Sequence, residues 1–260
     1  MTVRTEPGDR WVRAFVGDTA VVDSREPVLF YEQSFPLPVY AFRKQDVRTD
    51  LLHESSDEPV RETFSIFLPK GPVAQWYDLE VDGRTIRHAV WARDTPELAD
   101  LLIFSWEPGV LDRWLEEEEE VASHPRDPHK RVDALPSSRH VVVSLNGVTL
   151  ADTTDPVLLF ETGLPTRYYL PRESVNFDAL TPSENSSHCP YKGVADQYWD
   201  IVGQPDGKNA VWSYAEPSPA VGKIKDRIAF YNEVVDIRVD DVDQQRPESV
   251  FSAKAHRPGA

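Results

Sequence analysis

Pro27-Val28-Leu29-Phe30-Tyr31-Glu32 and Pro156-Val157-Leu158-Leu159-Phe160-Glu161 are two versions of one strand, set 129 residues apart. At that offset, seven of the 17 positions 27–43 are identical with their counterparts in 156–172. These are the Pro, Val, Leu and Glu of the quoted strand, then Pro36/Pro165, Tyr40/Tyr169 and Arg43/Arg172. Asp23/Asp152 lies upstream in the same register. Lys70-Gly71/Lys192-Gly193, Asp78/Asp200 and Ala89-Val90-Trp91/Ala210-Val211-Trp212 follow in unchanged order, with small changes of offset that imply loop insertions. Order kept over so many segments marks a duplication, and units of this size are domains rather than turns of a solenoid.

Each unit reads as strands. Short runs of β-branched and aromatic residues at 12–16, 19–23 and 28–31 surround Gly17-Asp18, and 141–145 and 148–150 surround Asn146-Gly147, whose residues both tolerate positive φ. Further strands are expected at 73–81, 87–92, 196–202 and 210–214, with one short helical turn in each of 43–51 and 172–180. The ends differ: 228–239 reads as one final strand, and 111–121 as strand passing into helix. The 22 prolines favour short strands over helices. The expected fold class is mainly β, two tandem copies of a small antiparallel sheet domain with short helical segments. The first copy is assigned to 10–115, an acidic and His/Pro-rich connector to 116–137, the second copy to 138–243, and a disordered tail to 244–260.

A formal charge of −16, with 28 basic against 44 acidic residues, argues against a nucleic-acid partner. One cysteine, Cys189, permits neither an internal disulfide nor a Cys-x-x-Cys metal knuckle. The charged N-terminus lacks a secretory apolar core, and the longest greasy run, 98–104, is far short of a membrane span. The expectation is a cytoplasmic protein with no membrane partner. In the connector, Glu116 to Glu120 precede His124-Pro125-Arg126-Asp127-Pro128-His129. A solvated linker is the preferred reading, and a His-rich metal site the alternative.

Chemistry concentrates in the second copy. His188-Cys189-Pro190-Tyr191-Lys192-Gly193 places a lysine three residues from a cysteine, where it could favour a thiolate or hold an anion, although an inert buried thiol is the preferred reading. Glu161 to Tyr169 sets a carboxylate, Arg167 and two tyrosines around a Gly-x-Pro turn, suited to a planar or anionic molecule or, equally, to an internal ion pair. Trp212-Ser213-Tyr214 adds aromatic surface. The leading expectation is a pocket in the second domain that binds a small polar or anionic molecule. Arg167 and Lys192 would contact it and Glu161 would orient Arg167 or accept from the ligand. Tyr169 and Trp212 would form walls, with Tyr191 and Tyr214 completing the ligand-binding set. Cys189 and Lys192 are the catalytic candidates should the protein be an enzyme. The first domain is read as a degenerate scaffold. A third reading is structural, with the acidic surface serving a homo-oligomer. No catalytic motif, metal set or cofactor signature is present.

The chain resembles the DUF427 family in a two-copy form. The likeness rests on Leu159-Phe160-Glu161-Thr162-Gly163-Leu164-Pro165-Thr166-Arg167-Tyr168-Tyr169, Cys189-Pro190-Tyr191-Lys192-Gly193, Val211-Trp212-Ser213-Tyr214 and His124-Pro125-Arg126-Asp127-Pro128. It implies a compact domain of antiparallel sheets similar to the β-tent, or Mss4-like, folds, whose relatives bind small ligands between sheets and often hold zinc through paired Cys-x-x-Cys motifs, which this chain lacks. It also implies a nucleotidyltransferase-like activity, although the Gly-Ser/Asp-x-Asp arrangement such chemistry uses is missing here.

Overall fold

A computed structural model describes residues 3–32, 37–59, 67–121, 123–249 and 251–252. The chain divides into two units, Met1–Asp127 and Pro128–Ala260. The first holds β1 (Val3–Pro7), β2 (Val12–Val16), β3 (Thr19–Ser24), β4 (Val28–Glu32), β5 (Val39–Arg43) and β6 (Leu52–Glu54). It continues with β7 (Gln75–Val81), β8 (Arg84–Ala92), β9 (Leu101–Phe104), β10 (Arg113–Glu116) and β11 (Glu119–Glu120). The second holds β12 (Val132–Pro136), β13 (Val141–Leu145), β14 (Val148–Thr153), β15 (Val157–Glu161), β16 (Arg167–Leu170) and β17 (Leu180–Ser183). After these come β18 (Ser187–Cys189), β19 (Gly193–Ala195), β20 (Gln197–Ile201), β21 (Val211–Ser213), β22 (Ile228–Phe230), β23 (Asp236–Val239) and β24 (Val242–Asp243). Among the described residues, the helical elements are short 3-10 turns such as Lys44–Asp46 and Arg172–Ser174. No helix among the described residues is long and apolar enough to cross a membrane.

The two units share one antiparallel topology. Seven strands run β1-β4-β5-β9-β8-β7-β6 in the first and β12-β15-β16-β22-β21-β20-β17 in the second, and four run β11-β10-β2-β3 and β14-β13-β23-β24. The small-sheet hairpins bulge at equivalent places, Ala14/Phe15 and Val143/Ser144. Asp78 and Asp200 were retained for a shared reason: each carboxylate accepts the backbone N–H of a left-handed residue, His88 at 2.9 Å and Asn209 at 2.7 Å. The β18–β19 hairpin belongs to the second unit alone among the described residues.

Side chains alternate across each seven-stranded sheet. One face closes on the small sheet to form the core, with Leu29, Tyr40, Phe42 and Phe104 in the first unit and Leu170, Val211, Ile228 and Phe230 in the second. The other, outer face carries its own cluster: Phe30, Ala41, Trp76, Trp91 and Ile103, against Leu159, Tyr169, Tyr198, Trp212 and Ala229.

Several expectations change. The fixed offset fails at β5, because the β4–β5 connection is one residue longer than β15–β16. Val28 faces Ala41 across the ladder whereas Val157 faces Tyr169, so Ala41 is the counterpart of Tyr169. A slip of one residue exchanges faces. Tyr40 therefore points into the inter-sheet core and Tyr169 into the outer cluster, and Arg167 has Val39 as its counterpart, where the 129-residue offset would put Pro38. Pro36 lies outside the described residues.

Residues 111–121 form no helix: Glu117, at φ 53°, turns β10 into β11. Residues 228–239 are two strands, in which 231–235 carry the chain from the large sheet to the small one. The connector is solvated only in part: Glu117 to Glu120 are exposed, but its two ends are built into the units. Glu116 is buried and accepts Arg10 Nη1 at 2.9 Å, the Tyr40 hydroxyl at 2.9 Å and the Arg126 N–H at 3.1 Å. Arg10 also donates to the Arg126 carbonyl and Tyr31 to Asp127, which fastens the connector's first half to the first unit. Its last residues are β12, an edge strand of the second unit. Of the expected tail, residues 244–249 and 251–252 are placed on the second unit, and Val250 and 253–260 lie outside the described residues.

Candidate functional site

The sequence-derived residues converge on the outer face of the second unit. Cross-strand register sets Tyr169, Ala229, Trp212 and Tyr198 in one row from β16 to β20. Trp212 Nε1 donates to the Tyr169 hydroxyl at 3.3 Å. Tyr169 is wholly buried, and burial raises its pKa to about 12 even though Lys192 and Trp212 act the other way.

Glu161, at the end of β15, meets Lys192 from the β18–β19 turn as a buried ion pair. Burial opposes the charge on Lys192, yet Cys189, Glu161 and Tyr169 together hold its pKa above the ordinary lysine value. A lysine acts as nucleophile only when neutral, so this pairing suits binding better than covalent chemistry. Gly193 follows at φ 94°, where a side chain would be strained, and its Cβ would lie 3.3 Å from the Glu216 carbonyl oxygen. That accounts for glycine after the lysine. Cys189 is half-buried at the end of β18, within electrostatic reach of Lys192, Tyr169 and Tyr214. Tyr191 is half-buried in the hairpin turn.

Tyr214 is only 3% exposed, and its hydroxyl makes no hydrogen bond to any described residue. Burial, with Tyr169, Cys189 and Tyr198 nearby, pushes its pKa far above the ordinary tyrosine value, so it remains a neutral donor and acceptor.

Arg167 is not oriented by Glu161. It grips Glu233 with both terminal nitrogens, at 2.6 and 2.8 Å, and reaches Asn232 at 3.2 Å. Glu161 is already neutralised by Lys192, and Tyr231-Asn232-Glu233, where the chain leaves β22, presents the second carboxylate. The Glu233 pKa is lowered: burial alone would raise it, and the Arg167 and Ser249 hydrogen bonds outweigh burial. The Arg167 guanidinium lies 5.3 Å from the Tyr231 ring and 5.5 Å from the Phe251 ring. The C-terminal segment thus covers this end of the face, with the Ser249 hydroxyl on Glu233 and Phe251 5.7 Å from Tyr231. Sequence reasoning missed Tyr231, Asn232, Glu233 and Phe251. The polar pair 232–233 between two apolar runs was the available signal of a strand break.

The first unit settles the same positions differently. Glu32, counterpart of Glu161, is paired with buried Arg93, which stands where the second unit has Tyr214, and accepts the Lys70 backbone N–H at 3.1 Å. Gly71 leaves room for that guanidinium, since a Cβ there would lie 2.8 Å from Arg93 Nη1. A cleft of about 130 Å³ opens in this unit, lined by Trp76, His88, Trp91, Ser105, Glu107 and Val110 among others. Among the described residues, no cluster of three or more His, Cys, Asp or Glu is placed to hold a metal, in the connector or elsewhere.

Fold and site define a tandem protein of two mainly β units with one topology and differently furnished outer faces. The family model described as Domain of unknown function (DUF427) matches residues 4–116 and 133–241, and the chain belongs to this family, carrying its domain twice. No curated protein matches the chain.

Proposed function

We propose that the outer face of the second unit binds a small, uncharged polar molecule through the Tyr214 hydroxyl, beside the Lys192–Glu161 pair and Cys189. The Tyr214 hydroxyl carries this reading: it makes no hydrogen bond to a described residue, and it is held on an otherwise buried phenol at the residue's small solvent-accessible opening, where a ligand can accept from it or donate to it. An anion is the poorer candidate. Both cations on the face are already neutralised, Lys192 by Glu161 and Arg167 by Glu233, and breaking a buried pair is strongly unfavourable. Trp212 supplies aromatic surface, held in place by the wholly buried Tyr169, and ligand sites usually combine such surface with a few placed polar groups.

The test is equilibrium dialysis of the full chain against the small-molecule fraction of a cell extract, read by mass spectrometry. The wild type should concentrate a polar compound at least tenfold, and Tyr214→Phe, which keeps the ring and removes only the hydroxyl, should not. Equal retention by both proteins would overturn the reading.

A further inference from the structure

The cleft of the first unit and the tyrosine cluster of the second occupy one place in the shared fold. In β8–β9, Trp91 pairs with Ile103 and Val90 with Phe104; in β21–β22, Trp212 pairs with Ala229 and Val211 with Phe230. The next residues are Ser105 and Tyr231, and each backbone N–H donates at 2.9 Å to the equivalent carbonyl, Ala89 or Ala210. Ser105 thus stands where Tyr231 stands. In the second unit that position is filled by a phenol ring whose centroid lies 4.5 Å from Trp212. In the first, a serine takes the place of the phenol, and a cleft of about 130 Å³ opens beside it, with the buried Trp91 at its floor.

We infer that the first unit binds a phenol-sized aromatic ring in this cleft, beside Ser105, in the place its sister unit fills with Tyr231. The volume agrees: an engineered apolar cavity of ~150 Å³ takes benzene. The walls agree as well, since the cleft is bordered by Phe67, Val110 and the edges of the packed pair Trp76 and Trp91. Glu107 and His88 bring polar atoms to the lining, where a guest's hydroxyl or amine would find partners. This site is separate from the one proposed at Tyr214 and does not depend on it.

Isothermal titration of the full chain with phenol tests the assignment through stoichiometry. The wild type should bind one phenol, Ser105→Tyr should bind at least tenfold more weakly or not at all, and Tyr231→Ala should bind two. Ser105→Leu provides a second, smaller filling should the tyrosine variant fail to fold, and it too should weaken binding. Absence of binding to the wild type, unchanged binding in both Ser105 variants, or no second site in Tyr231→Ala would each overturn it.

Discussion

The two units share strand order, ladder register and bulge positions, yet they close their outer faces at opposite ends. The first seals the Glu32 end with Arg93 and leaves space beside Ser105. The second seals the equivalent of that space with Tyr231 and Phe251, and at the other end leaves Tyr214 buried without a hydrogen-bond partner. The backbone is therefore indifferent to where the opening lies. A handful of outer-face substitutions, Arg93 against Tyr214 and Ser105 against Tyr231 foremost, decides it.

The contrast is tested most severely at its buried ion pairs. Removing one partner strands a charge in the interior, at a cost of about 3–5 kcal/mol. Arg93→Met should impose that loss on the first unit, and Lys192→Met a smaller one on the second, where the lysine is the more exposed cation. Hydrogen exchange, which reports the two units separately, checks both; equal losses would mean that the pairs are equivalent.

Arg167→Met should cost about 2–3 kcal/mol as a lost charged hydrogen-bond pair and should also release 247–252, seen as faster exchange there. Retained protection of that segment would show that Phe251 packing alone holds it. Acid should act in the same direction. The Glu233 pKa is depressed by Arg167 and Ser249, so its contribution is present above the ordinary glutamate value and lost as pH falls through the lower folded one. The C-terminal segment should therefore loosen in acid below the ordinary glutamate range, as followed by exchange from pH 7 down to about 2. The smallest effect is at Tyr214→Phe, which removes an unsatisfied hydroxyl and should leave the second unit unchanged or up to about 1 kcal/mol more stable.

Much of the fold was legible because strand alternation and turn chemistry are local. The duplication and the Asn146-Gly147 hairpin could be read directly. The register of β5 could not, since a single extra loop residue is invisible to a fixed offset and yet turns Tyr40 to the opposite face from Tyr169. The Glu116 anchor was hidden inside an acidic run whose composition suggests solvent. Partner choice was equally hidden: Glu161 and Glu233 divide Lys192 and Arg167 between them through contacts 31 and 66 residues apart, which no local pattern encodes. The value of Ser105 appears only when the two copies are superposed in their true register.

The central claim is that the second unit's outer face holds a polar small molecule through Tyr214. Native mass spectrometry of the full chain, after incubation with the small-molecule fraction of a cell extract, tests it most directly. The account predicts a discrete added mass on the wild type and a bare chain for Tyr214→Phe at equal thermal stability. Bare chains for both, or the same added mass on both, would contradict it.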